Sequence, residues 1–178
     1  MKYRTTLREI KTDGPALISE LGTMGRKKRL KKAFIEFVRS VIVVPDYSFT
    51  LTLKPVAGPR RKSTKINDAE QAMDWFLHVL NTKCFGHGYR RKKIELGIFA
   101  TIEGLGIGEQ PHWHGAIRLP KALTKEKFLR AFEYSKIRTK RFGNQWHLEP
   151  YCERNWLLYI TKTGVQSASP RFLRQGSL

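Results

Sequence analysis

The chain has 178 residues, of which 40% are hydrophobic and 11% aromatic, a content that favours a folded core over intrinsic disorder. Its 34 lysines and arginines outnumber 15 acidic residues and give a formal net charge of +19, so a polyanionic partner, foremost a nucleic acid, is expected. A membrane partner is not expected, because no apolar run approaches the roughly 18 residues of a membrane span.

Residues 1–45 are predicted to form a basic, partly helical N-terminal extension, marked by the cluster GRKKRLKK at 25–32. Residues 46–178 are predicted to form one domain. Alternating apolar residues predict its strands, and apolar residues at helical spacing predict its helices. The strands are expected at 47–54, 94–103, 112–119 and 146–151, and the helices at 67–85, 124–137 and 154–163.

The order of these elements predicts an α+β fold, in which an antiparallel β-sheet carries helices on one face and leaves the other face open. The glycine-rich turn at 104–108 separates two alternating strands. This arrangement predicts that the second and third strands form a hairpin.

A candidate metal site lies at this hairpin. His112 and His114 are two residues apart on a strand, so both imidazoles project from one face about 7 Å apart. Glu103 ends the neighbouring strand and can supply a carboxylate, with Glu109 in the turn as a rival ligand. Such a set suits Mg²⁺ or Mn²⁺ when a phosphate adds further oxygens. The alternative is a pair of ordinary hydrogen-bonded strand histidines.

A candidate nucleophile lies on the last predicted helix. At 100° per residue, Tyr159 and Lys162 fall on one polar stripe, while Trp156, Leu157 and Ile160 take the opposite arc. A phenol with its ordinary pKa near 10 is a poor nucleophile at neutral pH, and a nearby ammonium group reduces that handicap. The alternative is a solvated amphipathic helix that happens to contain both residues.

Three motifs in this order resemble those of the HUH endonucleases, specifically the single-tyrosine rolling-circle replication initiators. FTLT at 49–52 is similar to their first motif, PHWHGA at 111–116 to their metal motif, and YITKTG at 159–164 to their nucleophile motif. The resemblance implies an RRM/ferredoxin-like HUH fold for the endonuclease domain at 46–178.

The resemblance also implies an activity, namely nicking and rejoining of single-stranded origin DNA. Tyr159 would attack the scissile phosphate and stay joined to the 5′-phosphate, with Lys162 neutralising charge. Glu103, His112 and His114 would hold the divalent ion. The DNA would be bound by residues of the first strand and of two basic turns, namely Thr50, Thr52, Arg60, Arg61, Lys62, Arg90, Arg91 and Lys92.

The implied partners are single-stranded DNA and an origin hairpin. No GxxxxGK[ST] motif is present in the sequence, so a separate helicase and a host polymerase are expected to act with it. The expected location is the cytoplasm of a prokaryotic host, or the nucleus if the protein comes from a eukaryotic virus.

Three other functions are compatible with the same residues. The first is an HUH transposase or relaxase, which shares the chemistry. The second is a non-catalytic basic module that binds RNA or DNA, favoured by the charge alone. The third is a metal-dependent hydrolytic nuclease in which Tyr159 is structural.

Overall fold

The structure is a computed structural model that describes residues 44–55, 65–106, 109–152 and 168–174, together with residues 29, 32–33, 35–37 and 40. Within 168–174 the only side chain described is that of Phe172. The described residues between 29 and 40 are all helical. The predicted helix at 154–163 lies outside the described residues.

The strands are β1 (Tyr47–Leu53), β2 (Gly97–Glu103), β3 (His112–Arg118), β4 (Phe142–Pro150) and β5 (Ala168–Arg174). The helices are α1 (Ile66–Phe85), the single turn α2 (Gly88–Arg91) and α3 (Lys125–Arg138). The strands form one sheet in the order β4-β1-β3-β2-β5, and each neighbouring pair is antiparallel. The predicted α+β class, antiparallel sheet and β2–β3 hairpin are therefore confirmed.

The two long helices pack on one face of this sheet. The ring of Phe132 in α3 lies 6.1 Å from that of Phe49 in β1, and 5.2 Å from that of Phe76 in α1. The ring of Tyr47 lies 5.1 Å from that of Phe128. The alternation of β1 produces this packing, because its odd-numbered residues all point toward the helices. The same alternation sends Thr50 to the opposite face.

The opposite face is only partly open, which corrects the expectation of an open face. Phe99 and Ala116 lie on it side by side in β2 and β3, and each is 1% exposed. His147 in β4, by contrast, is exposed on the same face. Among the described residues, the accessible side chains on this side lie at the β1–β4 end and at the tip of the β2–β3 hairpin. Among the described residues, no helix is long and apolar enough to cross a membrane.

One strand was not predicted, and two begin at other residues than predicted, β2 at Gly97 rather than 94 and β4 at Phe142. β5 was not predicted, because Pro170 interrupts its pattern; proline is tolerated there because β5 is an edge strand of the sheet. β4 begins at Phe142 rather than 146, since pairing with β1 continues from Leu51 to Leu53 through an irregularity in register. Gly143 and Asn144 are poor strand formers, which hides this beginning of β4 in the sequence.

Gly115, between the metal-motif histidine His114 and the core residue Ala116, is glycine for steric reasons. A Cβ atom at this position would overlap the Phe49 ring and lie 2.8 Å from the Phe99 carbonyl oxygen. The aromatic ring of β1 therefore lies directly against the backbone of β3.

We expect Gly115→Ala to lower the free energy of unfolding by about 3 kcal/mol, because the Phe49 ring must leave its position in the packed core. Urea unfolding followed by circular dichroism measures this change. Gly143→Ala is the matched control, since a Cβ there meets its nearest atom, the Thr52 carbonyl oxygen, at an ordinary 3.5 Å. Equal stability of the two variants would contradict the prediction.

Candidate metal centre

The hairpin brings Glu103, His112 and His114 together on the sheet face opposite the long helices. Glu103 is the last residue of β2 and pairs with His112, the first residue of β3. His114 pairs with Thr101 on the same face. Gly104 follows Glu103 directly with a φ of +71° and lies against the Gln110 carbonyl, a conformation and a contact that suit glycine alone. This turn closes the loop back onto the start of β3.

The three side chains converge on a common point. Oε2 of Glu103 lies 3.8 Å from Nε2 of His112 and 3.8 Å from Nε2 of His114. One donor atom from each residue lies within 4.8 Å of the other two. Ligands bound to one ion at about 2.0–2.2 Å are roughly 3–4 Å apart, so this cluster can hold a metal ion.

The backbone of the loop orients His112. Its Nδ1 lies 2.9 Å from the carbonyl oxygen of Gln110. Because a carbonyl only accepts hydrogen bonds, Nδ1 carries the hydrogen, and in the neutral imidazole the lone pair is then on Nε2. The lone pair therefore belongs to the nitrogen next to Glu103, which is the tautomer that a metal ligand requires.

Thr50 of β1 orients His114. Its Oγ1 lies 2.9 Å from Nδ1 of His114, and the two residues are direct partners in the β1–β3 register. A hydroxyl accepts as well as donates, so Nδ1–H of His114 can donate to it and leave Nε2 unprotonated toward Glu103. The structure places the Thr50 hydroxyl against a candidate metal ligand, and the predicted contact of Thr50 with DNA stays a prediction.

Burial keeps His114 neutral. Its side chain is 6% exposed, and this burial is the main cause that lowers its pKa from 6.5 to about 4. The neighbouring His112 lowers the pKa further, whereas the Glu103 carboxylate acts in the opposite direction. At neutral pH the imidazole of His114 is therefore uncharged, the form in which histidine binds metals.

This lowered pKa predicts a loss of stability in acid. Below pH 6.5 His114 binds a proton in the unfolded chain, whereas in the folded chain it binds one only near pH 4. The free energy of unfolding should therefore fall with pH through this window, by roughly 3 kcal/mol in total. We would measure urea unfolding between pH 7 and pH 4 in a chelator, for the wild type and for His114→Gln.

The variant should show a shallower decline than the wild type over this window. His87→Gln is the matched control, since His87 is exposed in the turn before α2, and its decline should equal that of the wild type. A His114→Gln profile parallel to the wild type would contradict the expected role of His114.

The remaining predicted site residues are dispersed. Thr52 is buried beside His112 in the β1–β3 register. Glu109, the rival ligand, is turned into its own loop, where its Oε2 accepts a hydrogen bond from the Gly106 amide at 3.0 Å. Arg90 and Arg91 belong to α2, and Lys92 follows it. The predicted residues that lie outside the described part of the chain are Arg60, Arg61, Lys62, Tyr159 and Lys162.

One contributor to this site was not foreseen, namely the Gln110 carbonyl, a backbone group for which no side-chain pattern exists. His147 pairs with Thr50 from the β4 side, so that His114, Thr50 and His147 form one row across three strands. The alternation of β4 indicates that His147 lies on this face, because its neighbours Trp146 and Leu148 point toward the core.

No known protein family, curated protein or solved structure matches this chain.

Proposed function

We propose that the protein is a metal-dependent endonuclease that nicks and rejoins single-stranded origin DNA, as a rolling-circle replication initiator of the HUH type does. The observation that carries the proposal is the convergence of Glu103, His112 and His114 at one end of a hairpin. The net charge of +19 supports it, because lysines and arginines attract a polyanionic substrate and neutralise its phosphates.

The donor set fits a Mg²⁺ or Mn²⁺ ion. One carboxylate and two neutral imidazoles would hold it, with further positions left for water and a phosphate oxygen. Bound there, the ion would polarise the scissile phosphate and stabilise the charge that develops on it. The hydrogen-bond partners of these imidazoles support this use, because the backbone carbonyl of Gln110 and the hydroxyl of Thr50 keep both Nε2 atoms directed at Glu103.

The nucleophile in this proposal is Tyr159, and this assignment follows from the sequence motif at 159–164. The phenolic oxygen, after loss of its proton, forms a bond to phosphorus, and the bond from phosphorus to the 3′-oxygen breaks. The 3′-oxygen takes up a proton and leaves as a 3′-hydroxyl, while the 5′-phosphate stays on the tyrosine. Lys162, three residues further along the same sequence motif, would neutralise charge at this phosphate. Attack by a 3′-hydroxyl reverses the step and rejoins the strand.

The experiment uses the full chain, Mn²⁺ and a set of single-stranded oligonucleotides labelled at the 3′ end. We expect a band on a denaturing gel that carries both protein and label, and we expect EDTA to abolish it. Cleavage without this band would show hydrolysis, and would make the protein a metal-dependent hydrolytic nuclease. Salt-sensitive binding without cleavage on any oligonucleotide would show a non-catalytic module.

The same gel tests whether the enzyme is specific for an origin hairpin. Cleavage should require a short loop between inverted repeats, because an initiator recognises an origin hairpin. The matched substrate has the same loop and scrambled repeats. Equal cleavage of both substrates would contradict the proposed origin specificity.

A further inference from the structure

Three aromatic rings form a row on the outer side of the helix layer. The rings of Trp75 and His78 in α1 are 5.7 Å apart, and the rings of His78 and Tyr89 are 5.8 Å apart. Trp75, at the outer end of the row, is 51% exposed. An exposed indole next to other rings offers a flat apolar face to a ligand. Exposure of that face to water is unfavourable.

The row lies beside a groove at the end of α1, here called the helix-end groove. Its volume is about 450 Å³, and it is lined by His78, Thr82, His87, Tyr89, Arg90 and Arg91. A volume of this size lies in the range of small-ligand sites, which is about 300–1,000 Å³. The groove and the row share His78 and Tyr89, so a ligand can touch both.

The charge of the helix-end groove is positive. Arg90 and Arg91 line it, and Lys92 and Lys93 follow in the sequence. None of the seven residues that line the groove, Gly86 included, is acidic. Nη2 of Arg90 lies 3.4 Å from Nε2 of His78, and because a guanidinium only donates, the imidazole nitrogen is the acceptor. This contact holds one arginine at the edge of the aromatic row.

We propose that the helix-end groove binds a nucleotide of a single-stranded nucleic acid. The base stacks on the Trp75 ring, and the adjoining phosphate pairs with Arg90 and Arg91. Aromatic faces next to cations are the recurring means by which proteins hold unpaired strands, since every base has a π-face and every nucleotide a phosphate. A duplex hides its base faces and gains only the phosphate contacts.

The helix-end groove and the metal centre bind different nucleotides. At 100° per residue, Trp75, His78 and Thr82 lie within one 60° arc of α1. This arc points away from the sheet, opposite the buried side centred on Phe76 and Leu80. The metal centre lies on the other face of the sheet, so the width of a helix, about 10 Å, and the sheet itself separate them. The groove would hold the strand at a distance from the cut.

The choice of single-stranded DNA as the ligand rests on the proposed function, while the groove itself does not. The test therefore measures binding in EDTA, where the metal centre takes no part. A fluorescein-labelled 20-mer is titrated with the full chain and its anisotropy recorded, once as a single strand and once annealed to its complement. Trp75→Ala should raise the Kd for the single strand about ten-fold and should change the Kd for the duplex less than two-fold.

Matched variants separate the groove from general effects. Tyr134→Ala removes another exposed aromatic ring, on α3, and should leave both affinities within two-fold of the wild type. Trp75→Phe keeps a smaller ring and should lose less affinity than Trp75→Ala. Arg90→Gln with Arg91→Gln should reduce the slope of log Kd against log salt by about one more than Arg130→Gln with Arg138→Gln, which removes the same charge from α3.

Two results would overturn the inference. Equal weakening of single strand and duplex by Trp75→Ala would show a phosphate-binding surface without base stacking, and equal effects of Trp75→Ala and Tyr134→Ala would show no site. Failure of the proposed function looks different: wild-type protein would give no covalent band with Mn²⁺, yet Trp75→Ala would still weaken single-strand binding. Circular dichroism of each variant confirms that it is folded.

Discussion

Replacement of Tyr159 by phenylalanine is expected to reduce the covalent protein–DNA band by more than about 10³-fold, the scale seen when an enzyme loses its nucleophile. Phenylalanine keeps the aromatic ring but has no oxygen with which to bond phosphorus. The measurement is the denaturing gel with Mn²⁺ and a labelled hairpin oligonucleotide. Binding of the same oligonucleotide, followed by anisotropy, should stay within two-fold of the wild type, because the hydroxyl is not needed to hold the strand.

Tyr151→Phe is the matched control for this loss. Tyr151 directly follows β4, and its backbone amide donates a hydrogen bond to the Asp46 carbonyl at 2.9 Å; its phenol is the next candidate nucleophile in the sequence. We expect Tyr151→Phe to form the band at the wild-type rate. Persistence of the band in Tyr159→Phe and its loss in Tyr151→Phe would transfer the nucleophile to Tyr151.

The convergence of the metal cluster was predictable because it depends on local rules. Alternation places His112 and His114 on one face, and a tight hairpin pairs the end of β2 with the start of β3. Those two rules are enough to bring Glu103 opposite His112. They do not decide between Glu103 and Glu109, since the direction of Glu109 depends on the φ of Gly104 and on the path of the loop, neither of which a residue pattern specifies.

The environment of the cluster was less predictable because it depends on pairing between distant segments. Thr50 meets His114 only because β1 inserts between β3 and β4, a choice of strand order that the local pattern of each strand leaves open. The lowered pKa of His114 has the same origin, since it follows from burial of a face that was expected to be open. Local periodicity therefore determines which residues share a face, whereas tertiary pairing determines how far that face is buried from solvent.

The second large effect is expected on metal binding, when one of the three candidate ligands is replaced. Glu103→Gln should weaken Mn²⁺ binding by more than about 100-fold, because loss of an outer-sphere partner alone costs 10–100-fold and this change removes a charged ligand. The amide keeps the size of the side chain, so the 3.8 Å approaches to both imidazoles need not change for steric reasons. Isothermal titration with MnCl₂ measures the affinity, and the covalent band should disappear at Mn²⁺ concentrations that saturate the wild type.

Glu109→Gln is the matched control, since it makes the same substitution six residues away, on a carboxylate whose Oε2 accepts a hydrogen bond from the Gly106 amide. It should bind Mn²⁺ with the affinity of the wild type. Single-stranded DNA affinity in EDTA should be unchanged in both variants, because neither carboxylate attracts a phosphate. Weaker Mn²⁺ binding in Glu109→Gln than in Glu103→Gln would assign the carboxylate ligand to the loop. Equal loss of DNA affinity and metal affinity in Glu103→Gln would show that Glu103 maintains the hairpin and does not bind the ion.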